Sequence, residues 1–231
     1  MIHFHELQKT VGDRTLFSDL TLFLPKASYT LVCGERQSGK TTLVRMLLAY
    51  ERPDKGTLTV DGIDIGSIPE SRIPYLRRQT GFIAETPALL EDRSVIENIA
   101  VPLQLAGFDR EVINQRTTAL LETTGLSDEA NTKVGKLTAT MRQLVSVTRA
   151  IIHKPPVVVA DEPLHNLDDG TGRLIIDLLN DANKYGATVL ITCQTDTQLS
   201  GMVSNNARTL KLNAGSATNN ENSSLGQDNI E

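Results

Sequence analysis

The 231-residue sequence predicts an α/β fold organised around a phosphate-binding loop, and three observations carry that prediction. First, Gly34-Glu35-Arg36-Gln37-Ser38-Gly39-Lys40-Thr41-Thr42 fits the pattern GxxxxGK[ST] and follows the apolar run Tyr29–Cys33. Second, Val157–Ala160 is a continuous, mostly β-branched run, suited to a strand buried on both faces of a parallel sheet, and it ends in Asp161-Glu162-Pro163. Third, the texture between them changes at about residue 86 from short strands to helical spacing and changes back at about 150. That block reads as a helical subdomain inserted into an α/β core.

Residues 2 to 8 alternate polar and apolar like an edge strand, and 16 to 24 form another before the turn at Pro25, so a small N-terminal antiparallel sheet is expected. Leu43, Met46, Leu47 and Tyr50 keep helical spacing behind the phosphate loop. Arg52-Pro53-Asp54-Lys55-Gly56 is turn chemistry. A strand over 57 to 60 and the Asp61-Gly62 turn then predict a hairpin. Residues 70 to 78 look helical, and 81 to 84 form a short strand ending at Glu85.

In the inserted block, 89 to 107 and 111 to 125 have helical patterns, with Ser94 and Glu97 in capping-box spacing. A helix through Leu144, Val147 and Ile151 leads back to the core. Beyond the Val157–Ala160 strand, a helix over 172 to 185 and a strand over 188 to 192 add one more βα alternation. From Asn213 onward Asn, Ser, Gly and acidic residues dominate, and disorder is expected. The organisation is therefore one domain over 1–212, with core and β subdomain at 1–85 and 151–212, helical subdomain at 86–150, and a tail at 213–231.

The loop's glycines let the backbone turn tightly and aim its N–H groups at a triphosphate. Lys40 reaches the outer phosphates, and the Thr41 hydroxyl can ligate magnesium. The helix that starts here adds the positive end of its dipole. Carboxylates at the C-terminal end of a central strand face the same crevice. Asp161 is thus the natural partner of Thr41 on the metal, and Glu162 can take a proton from a positioned water.

A net charge of -5 gives no electrostatic case for nucleic acid as a partner. No stretch reaches the eighteen or so consecutive apolar residues that span a bilayer, and the N-terminus lacks signal-peptide character. A cytoplasmic protein that reaches a membrane only by docking on a partner is expected. Cys33 and Cys193 have no metal-site spacing and are expected to be buried thiols.

The order of phosphate loop, Glu85 segment, helical block, Leu137 to Met141, Asp161-Glu162-Pro163 and Asn166-Leu167-Asp168 resembles the nucleotide-binding subunit of ABC transporters over about residues 1–212. Within that family the chain is most similar to the cell-division FtsE group, with the lipoprotein-releasing ATPases next. Ile73-Pro74-Tyr75-Leu76-Arg77-Arg78-Gln79, Asp92-Arg93-Ser94-Val95 and Glu97-Asn98 carry that likeness. The resemblance implies an ABC ATPase fold, with ATP and Mg2+ as ligands. It further implies a head-to-tail homodimer holding two ATP molecules. The partner would be an integral membrane protein resembling FtsX, engaged from the inner face of the cell membrane near Glu85 and the helical block.

The sequence departs from the family pattern at several contacts. Val11 stands where the family stacks an aromatic residue on adenine, and Gln37 replaces a third glycine of the loop. Glu85 stands for a glutamine that senses magnesium and the γ-phosphate; its carboxylate can ligate the metal but repels the phosphate. The LSGGQ-type signature reads Leu137-Thr138-Ala139-Thr140-Met141, keeping a hydroxyl on Thr138 but adding two Cβ atoms. Gln194 takes the place of the switch histidine, and His165 is the only histidine nearby.

Retention of Lys40, Thr41, Asp161 and Glu162 leads to the expectation of an FtsE-like ATP-binding subunit with slow or partner-dependent hydrolysis. The changed contacts support an alternative, a non-hydrolysing pseudo-ATPase that holds ATP structurally and regulates or scaffolds a membrane complex. A kinase or GTPase is disfavoured, because no NKxD-like guanine motif is present.

Overall fold

The computed structural model describes residues 1–196, 199, 201–203, 206–213 and 216–220. Two sheets lie beside each other. The first is antiparallel, built from β1 (Ile2–Val11), β2 (Arg14–Leu24), β4 (Lys55–Val60) and β5 (Ile63–Asp64), in the order β2-β1-β4-β5. The N-terminal strand therefore pairs on both sides, rather than lying at the edge as its pattern suggested. Alternation of buried Ile2 and Phe4 with exposed His3 and His5 reports one buried face, and says nothing about how many neighbours a strand has. A bulge at Glu6, with φ of 48°, shifts the phase so that Leu7 is the next buried residue.

The second sheet holds β3 (Tyr29–Cys33), β6 (Thr80–Ile83), β7 (Val157–Ala160), β8 (Thr188–Cys193), β9 (Arg208–Asn213) and β10 (Ser216–Asn220), in the order β10-β9-β3-β8-β7-β6. All its pairings are parallel except β9 with β10. Every residue of β3, β7 and β8 is buried, as their continuous apolar runs require. The expected disorder from Asn213 is overturned as far as Asn220: Asn213 ends β9, and β10 pairs with it residue for residue from Ser216↔Asn213 to Asn220↔Thr209. Backbone pairing needs no apolar side chain, so a polar composition is compatible with a strand. Residues 221–231 of the expected tail lie outside the described residues.

Alternate residues of the parallel sheet feed two cores. On one face Leu31, Val158, Ala160, Val189 and Ile191 pack with residues of α3 (Val95–Leu105), α4 (Arg110–Thr124), α5 (Ala139–Ile151) and α6 (Asp169–Lys184). On the other, Val32, Val157, Val159 and Leu190 pack with α1 (Lys40–Leu47) and the inner face of the antiparallel sheet. The inserted helices thus share a continuous core with the sheet through Val95, Ile99, Leu103 and Leu121.

Helix α3 starts at Val95 and not at 89, because the capping box closes there: Ser94 N donates to Glu97 Oε2 at 2.8 Å and Glu97 N to Ser94 Oγ at 3.4 Å. Asn98, fully buried, then ties down the extended approach through bonds to both backbone groups of Leu90. Helix α4 ends at Gly125 in the left-handed region, where the sequence placed it. Helix α2 (Ile73–Arg78) follows a 3-10 turn at Glu70–Arg72, matching the expected helical stretch.

Candidate functional site

The loop from Gly34 to Gly39 joins β3 to α1, anchored by Gly34 N donating to Cys193 O at 3.1 Å. A Cβ on Gly34 would lie 2.6 Å from both Leu212 O and Ser38 Oγ, so the first glycine is required by close approach. Gly39 has φ of 100°, and a Cβ there would meet Phe17 Cζ at 2.9 Å, which puts Phe17 beneath the loop in the core. Gln37 adopts φ of 64°, so the position does demand the left-handed region, at a cost of about 1–2 kcal/mol for a side-chain-bearing residue. Its Oε1 accepts a hydrogen bond from Arg14 Nη1 at 3.2 Å, and the loop's own backbone bond runs from Ser38 N to Glu35 O.

The Lys40 side chain is only 5% exposed, and its ammonium is triply engaged: it donates to Gly34 O at 2.6 Å and Glu35 O at 2.9 Å, and pairs with Glu162 Oε1 at 3.2 Å. The first turn of α1 carries no acidic residue, which leaves its positive end open to an anion. Ser38 Oγ is buried without a hydrogen-bond partner among the described residues, an acceptor-seeking hydroxyl inside the loop. These features fit a bound phosphate group.

Asp161 is buried at the end of β7, its N donating to Ile83 O at 2.8 Å. One hydroxyl, Thr192 Oγ1 on β8, donates to Asp161 Oδ1 at 2.6 Å and accepts from Glu162 N at 2.9 Å. Thr192 therefore orients the Asp161 carboxylate and fixes the Glu162 backbone, and leaves the second oxygen of Asp161 for a cation. Glu162 has φ of 41°, and its Oε2 accepts a long bond, 3.4 Å, from Gln194 Nε2. Thr41 presents an exposed hydroxyl, and with Asp161 and Glu85 makes an all-oxygen donor set that fits Mg2+.

Val11, Arg14, Arg36, Gln37, Gly39, Lys40, Thr41, Thr42, Glu85 and Glu162 line one cavity of about 440 Å³. An adjoining cavity is lined by Arg36, Glu162, His165 and Gln194. Of the other residues singled out in sequence, Gly34, Glu35 and Ser38 belong to the loop itself, and Asp161 is joined to Glu162 through Thr192. Thr138 stands in the helical lobe as N-cap of α5, its Oγ1 accepting from Met141 N at 3.2 Å, and lines neither cavity.

Sequence reasoning missed Arg14, Thr192, Gln143 and the place of His165. Arg14 was within reach: it is the register partner of Val11 across the Gly12-Asp13 turn, so any site that includes one includes the other. Cys33 and Cys193 are register partners in β3 and β8, both buried and both free. The Cys193 thiol is pushed up by its hydrogen bond to Cys33 and by burial, and the same bond holds Cys33 down.

Comparison with known proteins places this geometry. A family model described as ABC transporter matches residues 17–165. The chain is 35% identical over 192 residues to the cell division ATP-binding protein FtsE of Escherichia coli (strain K12), covering 83% of this chain and 86% of that protein. It is also 35% identical over 178 residues to the methionine import ATP-binding protein MetN of Rhizobium meliloti (strain 1021), 77% of this chain and 50% of that protein. Among solved structures, a dimeric post-hydrolysis state of the ATP-binding cassette MJ0796 bound to ADP and Pi superimposes with a TM-score of 0.83. The overlap covers 95% of this chain and 98% of that one at 22% identity, a likeness of fold.

Proposed function

The chain belongs to the ABC transporter family, and from that premise we propose that it is the ATP-binding subunit of an FtsE-like complex, with slow or partner-dependent ATP hydrolysis. The observation that carries this reading is the ion pair of Lys40 with Glu162 inside the phosphate loop. A triphosphate entering the loop offers Lys40 a stronger counter-ion than Glu162. Once Lys40 turns to the phosphates, the Glu162 carboxylate is released to accept a proton from water, held in place by Gln194 Nε2. Loading and activation of the base are then one event.

Thr41 and Asp161, with Glu85 beside them, would hold Mg2+, which when bound neutralises phosphate charge. Arg36 and the loop amides hold the phosphates. Gln194 offers a hydrogen bond but no charge to the outer phosphate, and Glu85 repels it, so both slow the chemistry. In a head-to-tail homodimer, Thr138 would face the partner copy's nucleotide, with Ala139 and Thr140 crowding the approach. Among the described residues no helix is long and apolar enough to cross a membrane. The sequence resemblance implies attachment to the inner face of the cell membrane through an integral partner resembling FtsX, and the FtsE relatives, named for cell division, support a role there.

The second reading, a pseudo-ATPase that binds ATP structurally, rests on the same altered γ-phosphate contacts. One measurement tests what both readings share, and two more separate them. Lys40→Ala should abolish MgATP binding in calorimetry; undiminished binding overturns the central claim. Steady-state turnover of the wild type should fall at least about a hundredfold in Glu162→Gln. Turnover indifferent to that change means a contaminant and sinks the enzyme reading. If Gln194→His alone hydrolyses ATP that both forms bind equally, the natural chain is the structural binder.

A further inference from the structure

Glu85, Glu162 and His165 meet beside the phosphate loop, with one ligand atom of each lying within 4.8 Å of the other two. His165 Nε2 is 4.0 Å from Glu85 Oε1. The cluster is built by the backbone. His165 N donates to Glu162 O at 3.1 Å, closing a turn over Glu162-Pro163-Leu164-His165 that swings the imidazole back toward the carboxylate. Glu162 and Asn166 take φ of 41° and 58° to make that turn, a strained geometry held by its surroundings. From α5, the 4% exposed Gln143 donates to Ala84 O at 3.4 Å and Pro163 O at 3.1 Å. It thereby ties the residue before Glu85 to the residue after Glu162, and fixes the two ligand-bearing segments at one separation.

We propose that Glu85, Glu162 and His165 form a binding site for a single zinc-like transition-metal dication, centred away from Thr41 and Asp161 and sharing only Glu85 with the magnesium position. An imidazole nitrogen beside two carboxylates favours Zn2+ or Co2+ over Mg2+, which prefers oxygen throughout. Three protein ligands leave the remaining coordination positions to water. Metal bonds of about 2.0–2.2 Å set ligand atoms roughly 3–3.5 Å apart, so the cluster must contract by about 1 Å. The Glu85 and His165 side chains, 48% and 32% exposed, have the freedom to do so. Glu162 contributes Oε2, whose one hydrogen bond among the described residues is the long one from Gln194, while Oε1 stays with Lys40. The nearby ammonium opposes the cation, and sets its affinity. Metal binding itself needs no nucleotide. Its consequence rests on the reading of Glu162 as base: an ion there withdraws the carboxylate from water.

The test is a titration of the nucleotide-free full chain with Co2+ alone, followed by visible ligand-field absorption. One equivalent should saturate, Zn2+ should displace it, and a large excess of Mg2+ should not. His3 and His5, ring centroids 6.0 Å apart on β1, are a competing imidazole pair, so a His3→Gln/His5→Gln double variant is run alongside. His165→Gln and Glu85→Gln should each weaken binding about a hundredfold with unchanged thermal unfolding, while the double variant binds as the wild type does. Binding lost with His3 and His5, kept without His165, or displaced by Mg2+ overturns the site. Lys40→Ala, which should lose MgATP, should bind Co2+ about tenfold more tightly; unchanged or weaker binding removes Glu162 from the ligand set and overturns it as well. A wild type that binds Co2+ but no MgATP would sink the nucleotide reading alone.

Discussion

Val11 is half exposed at the mouth of the nucleotide cavity, and the guanidinium of Arg14 lies across the hairpin from it. A planar guanidinium can stack on a base where an aromatic ring is missing, and such a contact is worth about 1–2 kcal/mol when desolvated. Arg14→Ala should therefore weaken ATP about tenfold and Val11→Tyr should tighten it by a similar factor, while inorganic triphosphate, which has no base, does not respond to the substitution at position 11. Calorimetry with both ligands checks this; equal effects on ATP and triphosphate from Val11→Tyr would rule out base stacking. Single positions were legible in sequence where a pattern fixes their neighbours, as for Gln37, whose left-handed φ follows from its place among the loop's glycines. Thr192 and Gln143 were not. Each acts through partners 20 or more residues away, at Asp161, Glu162, Ala84 and Pro163, and spacing along the chain says nothing of such contacts.

Elements were legible where burial is one-sided or complete. The runs of β3 and β7 and the capping box of α3 each carry their own boundaries, whereas the interior place of β1 and the pairing of β10 depend on which strands lie alongside. The α3 cap makes a quantitative claim. Loss of the hydroxyl in Ser94→Ala should cost about 1 kcal/mol in urea unfolding. Hydrogen bonds from the Ser94 backbone and hydroxyl hold the Glu97 carboxyl below its ordinary pKa. A carboxylate favoured by the fold stabilises it above the unfolded-state pKa, and that contribution is lost as pH falls through the lowered folded value. Glu97→Gln should thus destabilise the protein at neutral pH, and the difference from wild type should shrink below about pH 4. A difference that stays constant across the titration would mean that the charge has no part in the cap.

At the scale of the whole molecule, the two cores explain why the nucleotide cavity and Thr138 are held by different bodies of packing. The loop rests on Phe17, Leu43 and the antiparallel sheet, whereas α5, packed in the helical core on the opposite face of the parallel sheet, carries Thr138 exposed at its N-cap. On the proposed reading, a second copy arranged head to tail would bring its own Thr138 to this cavity. Thr138 Oγ1 already accepts from Met141 N, so its hydroxyl proton remains free for a phosphate on the partner. Ala139 and Thr140 place their Cβ atoms at the start of α5, where the proposed dimer would bring the two copies together. Replacing both by glycine weakens helix propensity by up to about 1 kcal/mol each. Even so, the double variant should dimerise in MgATP at roughly tenfold lower protein concentration, measured by light scattering in a Glu162→Gln background that prevents turnover. Equal dimerisation midpoints would place the helix α5 start outside the interface and leave nucleotide binding as a property of the single chain.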